Sequence, residues 1–231
     1  MSEAKVASSN SHKRLIGAIC LLAFLVLWFV SGRLHYVFDF SEGSYSPYFW
    51  PRRMGLLLHL TGGFVAIICG LVQLWLGFSG KTSGLHRYLG KLYVAAVVFG
   101  ALGAAYLVST IPGHFAYASG LAGMAAASLV TTGMAVVAIR RRNIAQHQTW
   151  MIRSYAVIFA FVTYRLGGAL GRRLVPLPDD PVATDFDTML AWASWAIPLL
   201  VAEVCIQLKA MSRSIGFANC IVAPAIWRSF I

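Results

Sequence analysis

The chain has 231 residues, of which 58% are hydrophobic and only 12% charged, with a mean hydropathy of +0.70 and a formal net charge of +11. This composition lies far outside that of soluble domains and places the chain in the lipid bilayer. Its basic residues sit at the ends of apolar stretches, so anionic lipid headgroups account for the positive charge and nucleic acid is not an expected partner.

Six apolar stretches approach the roughly 20 helical residues needed to cross a hydrocarbon core: roughly 15–32, 54–76, 91–110, 118–139, 150–170 and 188–209. They predict an all-α, polytopic transmembrane bundle of about six helices, with helices two to five as a four-helix core. They use nearly the whole chain, so residues 1–231 read as a single integral membrane domain with its core at about 50–170. The first stretch follows Lys13 and Arg14 and ends without a small-x-small cleavage pattern at Trp28, Phe29 and Val30, so it reads as an uncleaved helix.

Beyond it, residues 33–53 carry Tyr36, Phe38, Phe40, Tyr45, Tyr48, Phe49 and Trp50, which suit the headgroup level as an anchor or as a lid over a substrate. Small residues recur through the central stretches, among them Gly62, Gly63, Gly100, Gly103, Gly120 and Gly123, and permit close helix approach. Gly167 and Gly171 form the clearest small-xxx-small pair, open to internal packing or to dimerisation. Pro176, Pro178 and Pro181 with Asp179, Asp180, Asp185 and Asp187 mark a solvated connection before the sixth stretch. Residues 210–231 read as a tail along the inner surface. Cys20, Cys69, Cys205 and Cys220 have no metal or redox spacing.

Lys5, Lys13, Arg14, Lys81, Arg87, Lys91, Arg140, Arg141, Arg142, Arg153, Lys209, Arg213 and Arg228 fall on one side, against Arg33, Arg52, Arg53, Arg172 and Arg173 on the other. The positive-inside rule then predicts both termini in the cytoplasm and a multi-pass location in the inner (cytoplasmic) membrane.

Four histidines stand out at two depths. His59 lies about 9 Å from the midplane by helical rise. An imidazole there is either a neutral group hydrogen-bonded across helices, to Thr131 or Thr132, or a ligand. His114 follows Pro112 and Gly113 just before the fourth stretch, on the same side as His59. His86 and His147 precede the third and fifth stretches at the other end. Tyr93 shares a face with His86 if that helix begins early, and Trp150 and Met151 fall at i+3 and i+4 from His147. Arg165, about 7 Å beyond its helix centre, wants an anion such as a haem propionate, a lipid phosphate or an acidic substrate, or else reaches the headgroups. Glu203 is placed to pair with Arg153 or an inner histidine, while Gln73 and Tyr155 are candidate contacts for a quinone or cofactor edge.

A bis-imidazole b-type haem needs two histidines at similar depth on facing helices. His59 with His114, and His86 with His147, meet that pattern, and coincidence of helix-start histidines is the alternative. His59, His86, His114 and His147 are therefore the candidate metal ligands, with Arg165, Arg153, Trp150 and Tyr93 as further cofactor contacts.

The runs His86-Arg-x-x-Gly-Lys-x-Tyr93 and His147-x-x-Trp-Met-x-Arg-Ser-Tyr155, preceded by His59-x-x-Gly-Gly, resemble the bacterial membrane proteins catalogued as domain of unknown function 2306. That resemblance covers about residues 50–170 and implies a multi-pass membrane protein without supplying an activity. A weaker, architectural likeness is to the cytochrome b561 group of two-haem transmembrane electron carriers. It implies haems shared by helices two and four, and by helices three and five.

The leading expectation is a b-type haem protein, possessing membrane oxidoreductase character, that carries electrons across the membrane or between quinol and an outer acceptor, with haem b and a quinone or redox protein as partners. The alternative is a non-enzymatic membrane protein that binds a transition metal or lipid, or an accessory factor of a larger complex. A small-solute transporter has no repeated half or interrupted helix pair to support it, and no nucleophile stands beside a base for hydrolysis.

Overall fold

The computed structural model describes residues 17, 19–80, 84–174 and 184–214. Lys5, Lys13, Arg14, Lys81, Asp179, Asp180, Pro176, Pro178, Pro181, Cys220 and Arg228, along with most of the expected tail, lie outside them.

The described chain is helical and forms a bundle. In order it comprises α1 (Ile19–Ser31), α2 (His35–Phe38), a short turn of 3-10 helix (Trp50–Arg52), α3 (Arg53–Phe78), α4 (Gly84–Ser109), α5 (Phe115–Arg140), α6 (Ile144–Ile158), α7 (Ala160–Leu174) and α8 (Asp185–Ser214). Five spans are long and apolar enough to cross a membrane, one of them the pair α6 and α7 taken together over Ile144–Leu174, and α1 is a shorter apolar helix. The fifth apolar stretch is thus interrupted: Phe159 separates α6 from α7, with Val162 N–H turning to the Phe159 carbonyl.

Two helices start earlier than hydropathy alone indicates. α4 begins at Gly84, not at about 91, and α6 begins at Ile144, not at about 150. Local chemistry explains α6. Arg142 adopts a left-handed φ of 57°, the chain reverses, and the Asn143 side chain caps the helix by accepting from Gln146 N–H at 3.0 Å. His147 then falls in the first turn, and His86 does the same in α4. A Thr184 and Asp187 capping box opens α8, where Asp187 also meets Arg172 at 2.9 Å.

α3 packs on α4, α5 lies between α4 and α6, and α8 covers α5, α6 and α7. Alternating direction makes α4 and α6 parallel, on diagonally opposite corners of the four-helix core. Glycine sets the α3/α4 distance: a Cβ on Gly62 would lie 2.5 Å from Gly100 N and 2.7 Å from Ala96 O, and one on Gly103 would lie 2.5 Å from His59 N. Backbone therefore rests on backbone, the contact that small residues permit in lipid. Gly120 and Gly123 make room for Trp192 and Trp195 of α8 in the same way. Gly167 and Gly171 face Leu190 and Phe186, so this small-residue pair serves packing within the chain.

The aromatic segment before α3 folds on itself. Tyr45 is 2% exposed and stacks edge-on against Tyr36, Phe40 and Trp50, its hydroxyl donating to the Tyr36 carbonyl. Burial raises the Tyr45 phenol above its ordinary pKa. Arg53 lies over the Trp50 ring at 4.5 Å.

Candidate functional site

The end of the bundle that carries His86, His147 and Arg153 is here called the His147 end, and the opposite one the His114 end. At the His147 end, His147 Nδ1 lies 2.9 Å from the Ala135 carbonyl of α5. A carbonyl only accepts, so Nδ1 carries a proton, and Nε2 is the ring nitrogen left to ligate. His86 is half-buried, within electrostatic range of His147, and its Nδ1 is buried without a hydrogen-bond partner. The His86 carbonyl accepts from Gln73 Nε2 at 2.6 Å, which ties the start of α4 to the end of α3.

Depth is set by a second pairing. Tyr93 and Ser154 hydroxyls lie 2.7 Å apart, and Ser154 meets Thr132 of α5 at the same distance. Tyr93 and Ser154 are both 0% exposed. Tyr93 lies seven residues beyond His86 on α4, and Ser154 seven beyond His147 on α6. Because the two helices are parallel, the bond that fixes Tyr93 opposite Ser154 also fixes His86 at the level of His147. Two turns, about 10 Å, separate the imidazole level from the hydroxyl bridge. The structure therefore brings His86, His147 and Tyr93 into one register. Thr132, expected from sequence as a partner of His59, instead meets Ser154, and the seven-residue spacing shared by His86 with Tyr93 and by His147 with Ser154 is the sequence signal for this pairing.

Arg153 and Trp150 have other occupations. Arg153 Nε and Nη2 each lie 2.7 Å from Glu203 Oε2, the guanidinium sits 4.5 Å over the Trp150 ring, and Gln207 donates to Glu203 Oε1. This network pins α6 to α8 beside the histidines. Tyr155 hydroxyl reaches the Ile67 carbonyl at 3.3 Å, so it and Gln73 both bond to backbone.

Toward the His114 end, His59 bonds across helices, but to neither threonine expected. Its Nδ1 lies 3.0 Å from the Gly100 carbonyl of α4, a contact opened by the Gly62 and Gly103 packing. The same reasoning puts its proton on Nδ1. The ring stacks on Phe161 at 5.1 Å and borders a cavity of about 30 Å³, room for about one water molecule. The α5 side chains on that cavity are Met124, Ala125 and Ser128. His114 is the N-cap residue of α5, ten residues or about 15 Å of rise before Met124. Arg165 is exposed, lies 5.6 Å over Tyr164, and is within electrostatic range of His59.

Among the described residues no cluster of three or more His, Cys, Asp or Glu is placed to hold a metal ion. Two imidazoles at one level are a sparse donor set for a bare ion.

The family model described as Predicted membrane protein (DUF2306) matches residues 56–206, a stretch that holds His59, His86, His114 and His147. No curated protein and no solved structure matches the chain.

Proposed function

The chain belongs to the Predicted membrane protein (DUF2306) family, and we propose that in the bilayer it is a b-type haem electron carrier with its centre between α4 and α6 at the His147 end. The observation that carries this reading is the common register of His86 and His147, imposed by the Tyr93 to Ser154 hydrogen bond two turns away. Parallel diagonal helices with one imidazole each can face a flat group from both sides.

The residues fit the group in two further respects. His86 Nδ1 is a buried polar atom with no partner, which is costly unless a bound group or a ring rotation satisfies it. His147 is held by its Nδ1 contact to Ala135, the kind of outer contact that orients an imidazole and leaves Nε2 to ligate. When bound, the haem supplies reversible one-electron chemistry.

The protein's own residues do the rest. Gln73 and the α5/α6 turn fix where α4 and α6 begin, and hence the two imidazoles. The Arg153 and Glu203 pair neutralises charge beside the site. Tyr93, Ser154 and Thr132 satisfy one another's hydroxyls and close the apolar interior beyond it.

On the positive-inside distribution this end faces the cytoplasm, where a membrane quinol is the natural donor. In detergent-solubilised protein mixed with a reduced short-chain quinol, the reading predicts that the visible haem bands shift to the reduced form. Bands that dithionite reduces and quinol leaves unchanged would reject quinol as donor.

A further inference from the structure

A different group of residues comes together at the His114 end, away from His86 and His147. Phe29 of α1 meets Phe161 of α7 with ring centroids 6.2 Å apart, and both α1 and α7 run toward that end. His59 also meets Phe161 at 5.1 Å, and Phe64 packs on Phe29 at 5.9 Å, so these rings form one connected cluster across three helices. The turn after α1 stays helical, with Gly32 N–H on the Trp28 carbonyl and Arg33 N–H on that of Val30. Arg33 is four residues past Phe29, and Arg165 is four residues past Phe161. One helical turn beyond the Phe29 and Phe161 contact, Arg33 and Arg165 therefore come to similar levels on neighbouring parallel helices.

The pair lies in mutual electrostatic range. Arg33 Nη1 donates to the Gly32 carbonyl at 2.9 Å, and Arg165 rests on Tyr164, itself 3.2 Å from the Tyr117 hydroxyl of α5. Neither arginine has a carboxylate partner among the described residues. The ion pairs there are Arg153 with Glu203 and Arg172 with Asp187. Two adjacent cations on apolar spans repel each other, and an anion between them, reached by the long arginine side chains, reverses the sign of the interaction.

We propose that Arg33 and Arg165 clamp the phosphate of an anionic membrane lipid, with the acyl chains lying along exposed apolar side chains of α1 and α7. Leu27, Trp28 and Leu166 are such side chains. A phosphate offers several acceptor oxygens to two planar forks of donors, the match for which arginine is suited. A zwitterionic lipid brings a cation of its own to a place that already holds two.

Native mass spectrometry of the full chain in detergent tests this with dioleoylphosphatidylglycerol, dioleoylphosphatidylcholine and inorganic phosphate as probes. The expected result is saturable retention of the glycerol lipid, little of the choline lipid, and no adduct with phosphate alone. Retention should fall about tenfold for Arg33→Gln or Arg165→Gln, as loss of one charge-assisted contact implies. Arg33→Lys with Arg165→Lys keeps the charge and should recover part of the binding. Equal retention of both lipids, unchanged retention in the double Gln variant, or a phosphate adduct without lipid would overturn the proposal. None of these readouts involves a visible spectrum, so failure here is separate from failure of the haem reading.

Discussion

His147→Ala, and separately His86→Ala, should leave the purified protein with less than about a tenth of its haem, since loss of an outer-shell partner alone typically costs 10–100-fold in metal affinity. Both substitutions should have this effect, because the proposed centre takes one imidazole from each helix at the level set by the Tyr93 to Ser154 bond. His114→Ala should leave the haem content unchanged: the residue stands at the N-cap position of α5, and the α5 side chains that border the His59 cavity begin ten residues later at Met124. His59→Ala should likewise keep the spectrum while lowering stability, as it removes the cross-helix bond to Gly100. Haem quantified per chain, alongside size-exclusion profiles of all four variants, checks the pattern. Haem lost in His59→Ala or His114→Ala and kept in His147→Ala would move the centre to the opposite end.

The largest effect on folding is expected at the α3/α4 contact. Gly62→Val and Gly103→Val each place new carbons within 2.5 to 2.7 Å of backbone atoms: Gly100 N and Ala96 O in the first, His59 N and Gly55 O in the second. Backbone cannot rotate away as a side chain can, so the cost should reach or exceed the about 1–3 kcal/mol usual for overpacking. The two helices must separate, and the Gly100 carbonyl then leaves His59. Gly133→Ala is the matched control. A Cβ there meets open space, and the helix gains up to about 1 kcal/mol in propensity. Thermal unfolding in detergent should show both valine variants with sharply lowered midpoints, or with no folded species, and Gly133→Ala at or above wild type. Valine variants as stable as wild type would contradict the packing.

Hydropathy made the bundle legible because lipid demands long apolar runs, and composition alone places this chain in a membrane. Helix starts were harder to read. Arg87 and Lys91 lower the average around His86, and Gln146, His147 and Gln148 do so around His147, yet both segments are helical because a helix can extend past the hydrocarbon. The break at Phe159 carries no Gly or Pro signal.

At the candidate site, residue types pointed to the imidazoles but not to what holds them. Gly100 and Ala135 serve through backbone carbonyls, which no side-chain pattern encodes. His86 with Tyr93 and His147 with Ser154 repeat one spacing on two parallel helices, and Phe29 with Arg33 repeats that of Phe161 with Arg165. Each coincidence acquires meaning only once a cross-helix contact fixes the register.

The most direct measurement is the reduced-minus-oxidised visible spectrum of wild-type protein purified from haem-replete cells, with haem quantified per chain. The account predicts a red protein with a sharp reduced band and about one haem per chain, ligated by two imidazoles. A colourless, monodisperse protein would contradict it.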